Sequence, residues 1–340
     1  MFADPTRYLR AARRSALTFC VLALALACCA EPEPLATPPD SSTVATATVQ
    51  PSAVAEPTPT ATAEPTATAT ATPLPSATPW PTATPWPTDT ALPTATSVPH
   101  RVAIDPGHGG IDLGTRHFDA SGHMDAHEST INLDLALLLR DVLLERGYEV
   151  FMTRDGDYRV NANEEDLLGD GEVTSADEVQ ARVDTINASG AELLLSIHQN
   201  AFWPNGVPDQ TVGGPSTFYC ADREFADESW RFACLVQYHL VEAIRGMGYD
   251  AHDRGVEDDL SIQVPGKPGT HLIILGPVGE RIVRASQMPG ALNETLFLSN
   301  DREATLLTDP AAQRVMALAY ADAIDAYFSG ETSPVDYSED

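Results

Sequence analysis

Four short segments, far apart in the chain, carry side chains able to bind a metal or move a proton. They are Asp105-Pro106-Gly107-His108-Gly109-Gly110, His127-Glu128-Ser129, Ser196-Ile197-His198-Gln199-Asn200 and Asn293-Glu294-Thr295. Neutral imidazole and carboxylate suit zinc, and a catalytic zinc keeps three protein ligands while leaving one position open. His108, Glu128 and His198 supply that number, and Glu294 is left over as a carboxylate for proton transfer. A single zinc in such a site lowers the pKa of a water towards about 7 and polarises a carbonyl oxygen. The glycines around His108 let the backbone pass close to metal and substrate without Cβ obstruction.

The elements that must position these groups follow from the apolar patterning. Arg101 to Asp105 is a short apolar run broken by Pro-Gly, as expected of a buried first strand. Glu128 opens a helical pattern in which Ile131, Leu135, Leu138, Leu139 and Val142 share one face, ending at Arg146-Gly147. Tyr148 to Thr153 reads as a second strand, Ser175 to Ala188 as a helix, and the Leu-rich run Ala191 to Ile197 as a third strand ending at His198. Further strands are expected at Ser216–Cys220, Leu272–Leu275 and Gly290–Glu294, and helices at Glu224–Arg245 and Asp309–Phe328. Strands alternating with helices predict an α/β domain, a three-layer αβα sandwich around a largely parallel or mixed sheet. Ligands of such sheets gather beyond the carboxyl ends of the strands, where His108, His198 and Glu294 are expected. The polar stretch from Arg154 to Asp177 reads as a surface insertion, with an ordinary loop preferred over a regulatory lid.

Six further histidines, His117, His123, His127, His239, His252 and His271, read as ordinary hydrogen-bonded residues. His123 and His127 stand four apart and would share a face only if that segment were helical, which Gly122 and its Asp-rich context oppose. Asp105 is expected to orient His108 or the turn.

The first hundred residues differ in composition from the rest. Arg7, Arg10, Arg13 and Arg14 precede an apolar stretch from Ala16 to Ala27, too short to span a bilayer, and read as an export signal. Leu26-Ala27-Cys28-Cys29 resembles a bacterial lipobox, so residues 1–28 are expected to be a lipoprotein-type signal peptide and Cys29 or Cys28 the acylated residue. That places the protein outside the cytoplasmic membrane, tied to it by an acyl anchor. Between Glu31 and Pro99 there is no Lys, Arg or Gly, and Pro, Thr, Ala and Ser dominate. Residues 29–99 are therefore expected to be a disordered linker, with a reach of roughly 200 Å if extended at about 3.1 Å per residue. Residues 100–330 form the expected catalytic domain and 331–340 a flexible acidic tail.

Net charge is −29, and residues 101–340 hold 16 basic against 42 acidic side chains. An acidic domain excludes nucleic acid, whose phosphates demand a basic surface. Two of the five cysteines, Cys220 and Cys234, fall in the domain. In an exported protein they are candidates for a disulfide, weighed equally against two separate buried thiols. Neither shows C-x-x-C metal spacing, so neither is counted as a ligand.

Taken in order, these motifs resemble the zinc-dependent N-acetylmuramoyl-L-alanine amidases of bacterial cell walls. The resemblance rests on Val102 to Gly110, Glu128 at a helix start, Arg182 in the helix before the third strand, Ser196 to Ala201, Arg254-Gly255-Val256, and Met288 to Asn300. It implies zinc held by His108, Glu128 and His198, Glu294 as the catalytic proton carrier, and peptidoglycan as substrate, cut between the N-acetylmuramic acid lactyl group and the first L-alanine of the stem peptide. It also suggests Arg254 as a partner for a peptide carboxylate, against an equally weighted structural role, and leaves room for a protein activator. Asn293 replaces the usual hydrophobic residue before the catalytic Glu, Leu296 stands where the family favours Gly, and the stretch from Leu275 to Met288 is expanded. The alternatives are a peptidoglycan-binding scaffold without turnover, which an intact Glu294 disfavours, and a zinc hydrolase acting on a different amide.

Overall fold

The computed structural model describes residues 98–261, 269–279 and 281–338. The expected signal with Cys28 and Cys29, and the linker up to residue 97, lie outside the described residues. Eight strands and five helices alternate along the described chain: β1 (Arg101–Pro106), β2 (Arg116–Phe118), β3 (Met124–His127), α1 (Glu128–Glu145), β4 (Glu149–Met152), α2 (Ser175–Ser189), β5 (Leu193–Asn200), β6 (Ser216–Tyr219), α3 (Ala226–Gly246), β7 (Val256–Asp258), β8 (Gly290–Phe297), α4 (Asp301–Thr308) and α5 (Pro310–Phe328). None of these helices is long and apolar enough to cross a membrane.

Six strands form one mixed sheet in the order β4-β1-β5-β8-β6-β7, and β2 with β3 makes a separate hairpin. β4, β1, β5 and β8 run parallel, whereas β6 is antiparallel to β8. The buried run Leu193-Leu194-Leu195-Ser196-Ile197 is a central strand covered on both faces, which is why it is apolar throughout instead of alternating. Leu193, Leu195 and Ile197 pack with α1, α3 and α5, while Leu194 packs with Val183 and Ile186 of α2 on the opposite face. The three-layer α/β sandwich is thus complete.

The helix ends are chemically fixed. Thr174 and Asp177 cap α2 reciprocally, with the Ala176 amide donating to Thr174 Oγ1 at 3.2 Å and the Thr174 amide to Asp177 Oδ2 at 2.7 Å. Asp309 caps α5, whose first residue is Pro310, where a missing N–H costs nothing.

Several expectations are corrected. Leu272–Leu275 is a turn, not a strand: the place beside β8 is taken by β6, and these apolar residues pack beneath α2 with the Leu272 amide donating to Asp259 Oδ2 at 2.9 Å. Cys220 and Cys234 are free thiols, not a disulfide, because they belong to apolar clusters on opposite faces of the sheet. The segment from Arg154 to Asp177 is not wholly a surface insertion. Arg154 is fully buried, and the carboxylates of Asp177 and Glu178 at the start of α2 accept the amides of Val160, Asn161, Leu167 and Leu168. The acidic tail is docked through Tyr337, which is buried and donates to Asp253 Oδ2 at 3.1 Å.

Candidate active site

β1 leads into the loop that carries His108, and three buried polar residues fix where it goes. Asp105 accepts from Thr153 Oγ1 at 2.7 Å, Ser196 Oγ at 2.8 Å and Arg182 Nη1 at 2.9 Å. Burial alone would raise its pKa, but the Arg182 guanidinium and these hydroxyls outweigh that and hold it below the ordinary value. Arg182 also donates to the carbonyls of Pro106 at 2.7 Å and His108 at 2.5 Å, and to Glu178 Oε1 at 2.9 Å. Arg154 donates to the carbonyls of Pro106, Gly107 and Ser129. Two buried guanidiniums, both bonded to the Pro106 carbonyl, therefore clamp the 106–108 backbone. His108 sits there with φ at 61°, a left-handed conformation rarely adopted by a residue with a Cβ and held by this clamp.

The sheet register and α1 bring the remaining groups to His108. Residues of β5 alternate, so His198 shares the α2-facing side with Leu194 and Ser196, level with Glu294 of the neighbouring β8. The β5–β8 pairing shifts register between His198 and Asn200, a local irregularity adjacent to the site. Glu128, the first residue of α1, reaches over the end of the sheet. Its Oε1 lies 3.2 Å from His108 Nε2 and 3.0 Å from His198 Nδ1 and accepts the Gln199 amide at 3.0 Å, while Oε2 accepts the Thr115 amide at 2.9 Å. The two imidazole rings stand 5.0 Å apart at 74°. On the far side of the first ring, His108 Nδ1 lies 2.8 Å from Asp112 Oδ2.

Two glycines make this approach possible. A Cβ on Gly107 would fall 2.2 Å from the His198 ring, and one on Gly114, whose φ is also left-handed, 2.4 Å from Glu128 Oε2.

These donors fit a divalent cation. His108, Glu128 and His198 place one ligand atom each within 4.8 Å of one another. His108 Nε2 is buried and has no hydrogen-bond partner, since its approach to Glu128 is near without being aligned. Burial disfavours charge on His108, yet the carboxylates of Glu128 and Asp112 push it up to about 10. Burial likewise opposes charge on Glu128, but His108 and His198 hold it well below the carboxylate range. A cavity polarised to retain positive charge, with an orphaned nitrogen aimed into it, is what a metal ion satisfies. The Asp112 contact on the opposite ring nitrogen is the familiar support for a metal-bound histidine.

Glu294 differs from Glu128. It too is buried, but Oε2 has no partner, and burial together with the charge of Glu128 raises its pKa well above the ordinary value. The adjoining cleft is lined by the start of α2, the turn at His271–Ile274, Leu292 and Arg281.

Other sequence candidates lie apart from this cluster. His127 contacts Ser129 and Thr130, and its segment is a strand, so no helical pair forms with His123. Arg254 lies over the Phe297 ring at 5.3 Å and is not part of the cleft lining. Asn293, the departure beside Glu294, faces the opposite side of the sheet, where it bonds Ser216, Thr217 and Tyr320. Sequence reasoning misses Asp112 and Arg281. Asp112, four residues after His108, carries a readable signal, whereas Arg281 sits in a stretch without a pattern.

Comparison with known proteins matches residues 102–326 to the family model described as N-acetylmuramoyl-L-alanine amidase. The chain belongs to this amidase family. It is 31% identical over 237 residues to the germination-specific N-acetylmuramoyl-L-alanine amidase of Bacillus subtilis, covering 68% of this chain and 81% of that protein. It is 25% identical over 249 residues to the amidase AmiA of Escherichia coli, covering 67% and 75% respectively. Among solved structures it is similar to the CwlD amidase of Clostridioides difficile in complex with the GerS lipoprotein, with a TM-score of 0.50, 25% identity, and coverage of 68% of this chain and 100% of that one. The amidase hydrolyses the bond between N-acetylmuramic acid and L-alanine in peptidoglycan.

Proposed function

We propose that His108, Glu128 and His198 hold one zinc ion and that Glu294 is the proton carrier of the amidase reaction. The observation that supports this most strongly is the convergence of two imidazole nitrogens on a single carboxylate oxygen, with His108 Nε2 and Glu294 Oε2 both buried and unpartnered beside it. Zinc there would supply Lewis acidity, polarising the lactyl carbonyl and making water acidic near neutral pH. Glu294, as carboxylate, takes a proton from the attacking water. As the carbon–nitrogen bond breaks it returns that proton to the L-alanine amine, so that an acid and an amine leave. The buried setting that raises its pKa suits a group that must both accept and release a proton. Asp112 holds the His108 ring, and the Arg154–Arg182 clamp holds its backbone. Arg281, not Arg254, is assigned to a stem-peptide carboxylate, because it lines the cleft and no carboxylate among the described residues pairs with it. The test is zinc content and product mass for Glu294→Gln: metal retained and hydrolysis lost support the assignment, and full turnover refutes it.

The same reading covers the rest of the chain. Four arginines, the apolar run and the lipobox-like Leu26-Ala27-Cys28-Cys29 support export and acylation at Cys29 or Cys28. The Pro-Thr linker then sets the 100–330 domain off from the membrane towards the wall polymer. The solved structure of the similar CwlD amidase in complex with the GerS lipoprotein supports a protein partner here as well. Metabolic labelling with a fatty acid, abolished by substituting both Cys28 and Cys29, tests the anchor.

A further inference from the structure

A second cluster of ligand-type side chains lies outside the amidase centre. Cys220 follows β6, Asp259 follows β7, and His271 comes from the turn that walls the cleft, so three separate segments meet. One ligand atom from each lies within 4.8 Å of the others. His271 Nδ1 is 2.8 Å from Asp259 Oδ1 and 3.4 Å from Cys220 Sγ. The opposite ring nitrogen, Nε2, is 3.4 Å from Asp222 Oδ2. In antiparallel register Phe218 faces Leu292, so Cys220 lies towards the start of β8, away from Glu294.

Two uses of a Cys-His-Asp group can be told apart by which nitrogen each partner meets. In a nucleophilic triad the base contacts the thiol through one nitrogen and its orienting carboxylate through the other. Here thiol and buried carboxylate meet the same nitrogen. Three ligand atoms within 4.8 Å of one another, with a further carboxylate behind the imidazole, match a metal-bound histidine and its outer support. A tetrahedral zinc with ordinary bond lengths separates N and S by about 3.6 Å and N and O by about 3.3 Å, so the cluster needs to open by only a few tenths of an ångström.

The charges point the same way. Asp259 is fully buried, and burial pushes its carboxyl up to about 6. Among the described residues, the ion pairs of both Asp259 and Asp222 are to His271 alone. Arg223, the neighbouring cation, is directed at the carbonyls of Leu275 and Gly276 and at Ser286 instead.

We infer that Cys220, Asp259 and His271 form a second metal site, for a borderline-soft divalent ion such as zinc, separate from the amidase centre. Binding takes the lone pair of His271 Nδ1, the Asp259 carboxylate and the Cys220 thiolate, and releases the thiol proton to solvent. The ion ties the ends of β6 and β7 to the turn whose residues His271 to Ile274 line the cleft, so it stiffens a wall of the substrate site.

The inference stands apart from the assignment of His108, Glu128 and His198, and cobalt substitution separates the two. Only the second site contains sulfur, so only it gives a thiolate-to-cobalt charge-transfer absorption. Metal-stripped full-length protein reloaded with cobalt should bind two equivalents and show that band. Cys220→Ser should lose the band and one equivalent, and His271→Gln should weaken both. His108→Ala with His198→Ala should lose one equivalent and keep the band. A wild-type protein that binds one equivalent without a thiolate band, or a band that survives Cys220→Ser, overturns the inference without touching the amidase centre.

Discussion

Replacing Gly107 by alanine should disable the amidase while leaving it folded. The new Cβ would lie 2.2 Å from Cε1 and Nε2 of His198 and 2.7 Å from Nδ1. Carbon atoms in comfortable contact are about 3.5 Å apart, so ring and backbone must separate by roughly 1.3 Å. Ligand distances in a metal site tolerate about 0.2 Å, and a misplacement of about 1 Å at a reacting centre costs about 10²-fold in rate. We therefore expect a loss of at least about 10²-fold in kcat/KM, with weaker zinc binding. Stability should fall by only about 1–3 kcal/mol, the usual range for overpacking. A Cβ on Gly246, the last residue of α3, would meet nothing within 4 Å. Gly246→Ala should accordingly raise stability by about 0.5–1 kcal/mol and leave the rate alone. The assay is zinc affinity by chelator competition, soluble muropeptide release, and a thermal melt for each variant. Wild-type zinc affinity and turnover in Gly107→Ala would refute the reasoning about His198.

Other substitutions separate the roles around the centre. Glu294→Gln is nearly isosteric and should cost about 10²–10⁴-fold in rate with zinc stoichiometry unchanged, read by elemental analysis beside kinetics. Asp112→Asn should weaken zinc affinity about 10–100-fold, because the His108 ring loses its anionic support, and a chelator titration reports it directly. Arg182→Met strands the buried carboxylates of Asp105 and Glu178 and should cost about 3–5 kcal/mol in denaturant unfolding. That cost carries a pH signature. The folded Asp105 carboxyl titrates below its unfolded value of 3.8, so its contribution is complete above that pH and is lost as pH falls through the folded pKa. The gap between wild type and Arg182→Met should thus narrow in acid, and a gap that widens there would contradict the assignment.

The sequence was most informative where local chemistry and global position agree. β1 and β5 were legible because a central strand buried on both faces leaves an unbroken apolar run, and α1 because its apolar residues recur at helical spacing from Glu128 onward. His108, Glu128, His198 and Glu294 stood out by residue type at element ends; the first three lie with their ligand atoms within 4.8 Å of one another, and Glu294 feels the charges of Glu128 and His108. The misreadings share a physical origin in tertiary partners that spacing does not encode. Leu272 to Leu275 has the composition of a strand, yet the neighbouring edge is already occupied and Asp259 caps its first amide. Cys220 and Cys234 have a loop length that permits a disulfide, yet the sheet lies between them. Arg154 opens a polar stretch and still ends up fully buried, because three carbonyls around the His108 loop need a donor. The hairpin of β2 and β3 is short and polar, and only its pairing identifies it. His271 reads as an ordinary histidine in sequence, since its partners come from two distant strand ends.

The proposed centre sets one zinc, held by His108, Glu128 and His198, beside Glu294 to cut the muramoyl–alanine amide. The most direct measurement digests purified peptidoglycan with the metal-loaded mature protein and determines product masses beside metal content, before and after the His108→Ala with His198→Ala substitution. The expected products are glycan strands with free lactyl carboxyl groups and stem peptides with a free L-alanine amine, and the double variant should lose both this activity and one equivalent of zinc. Cleavage at any other bond, or undiminished zinc and activity in the double variant, would contradict it.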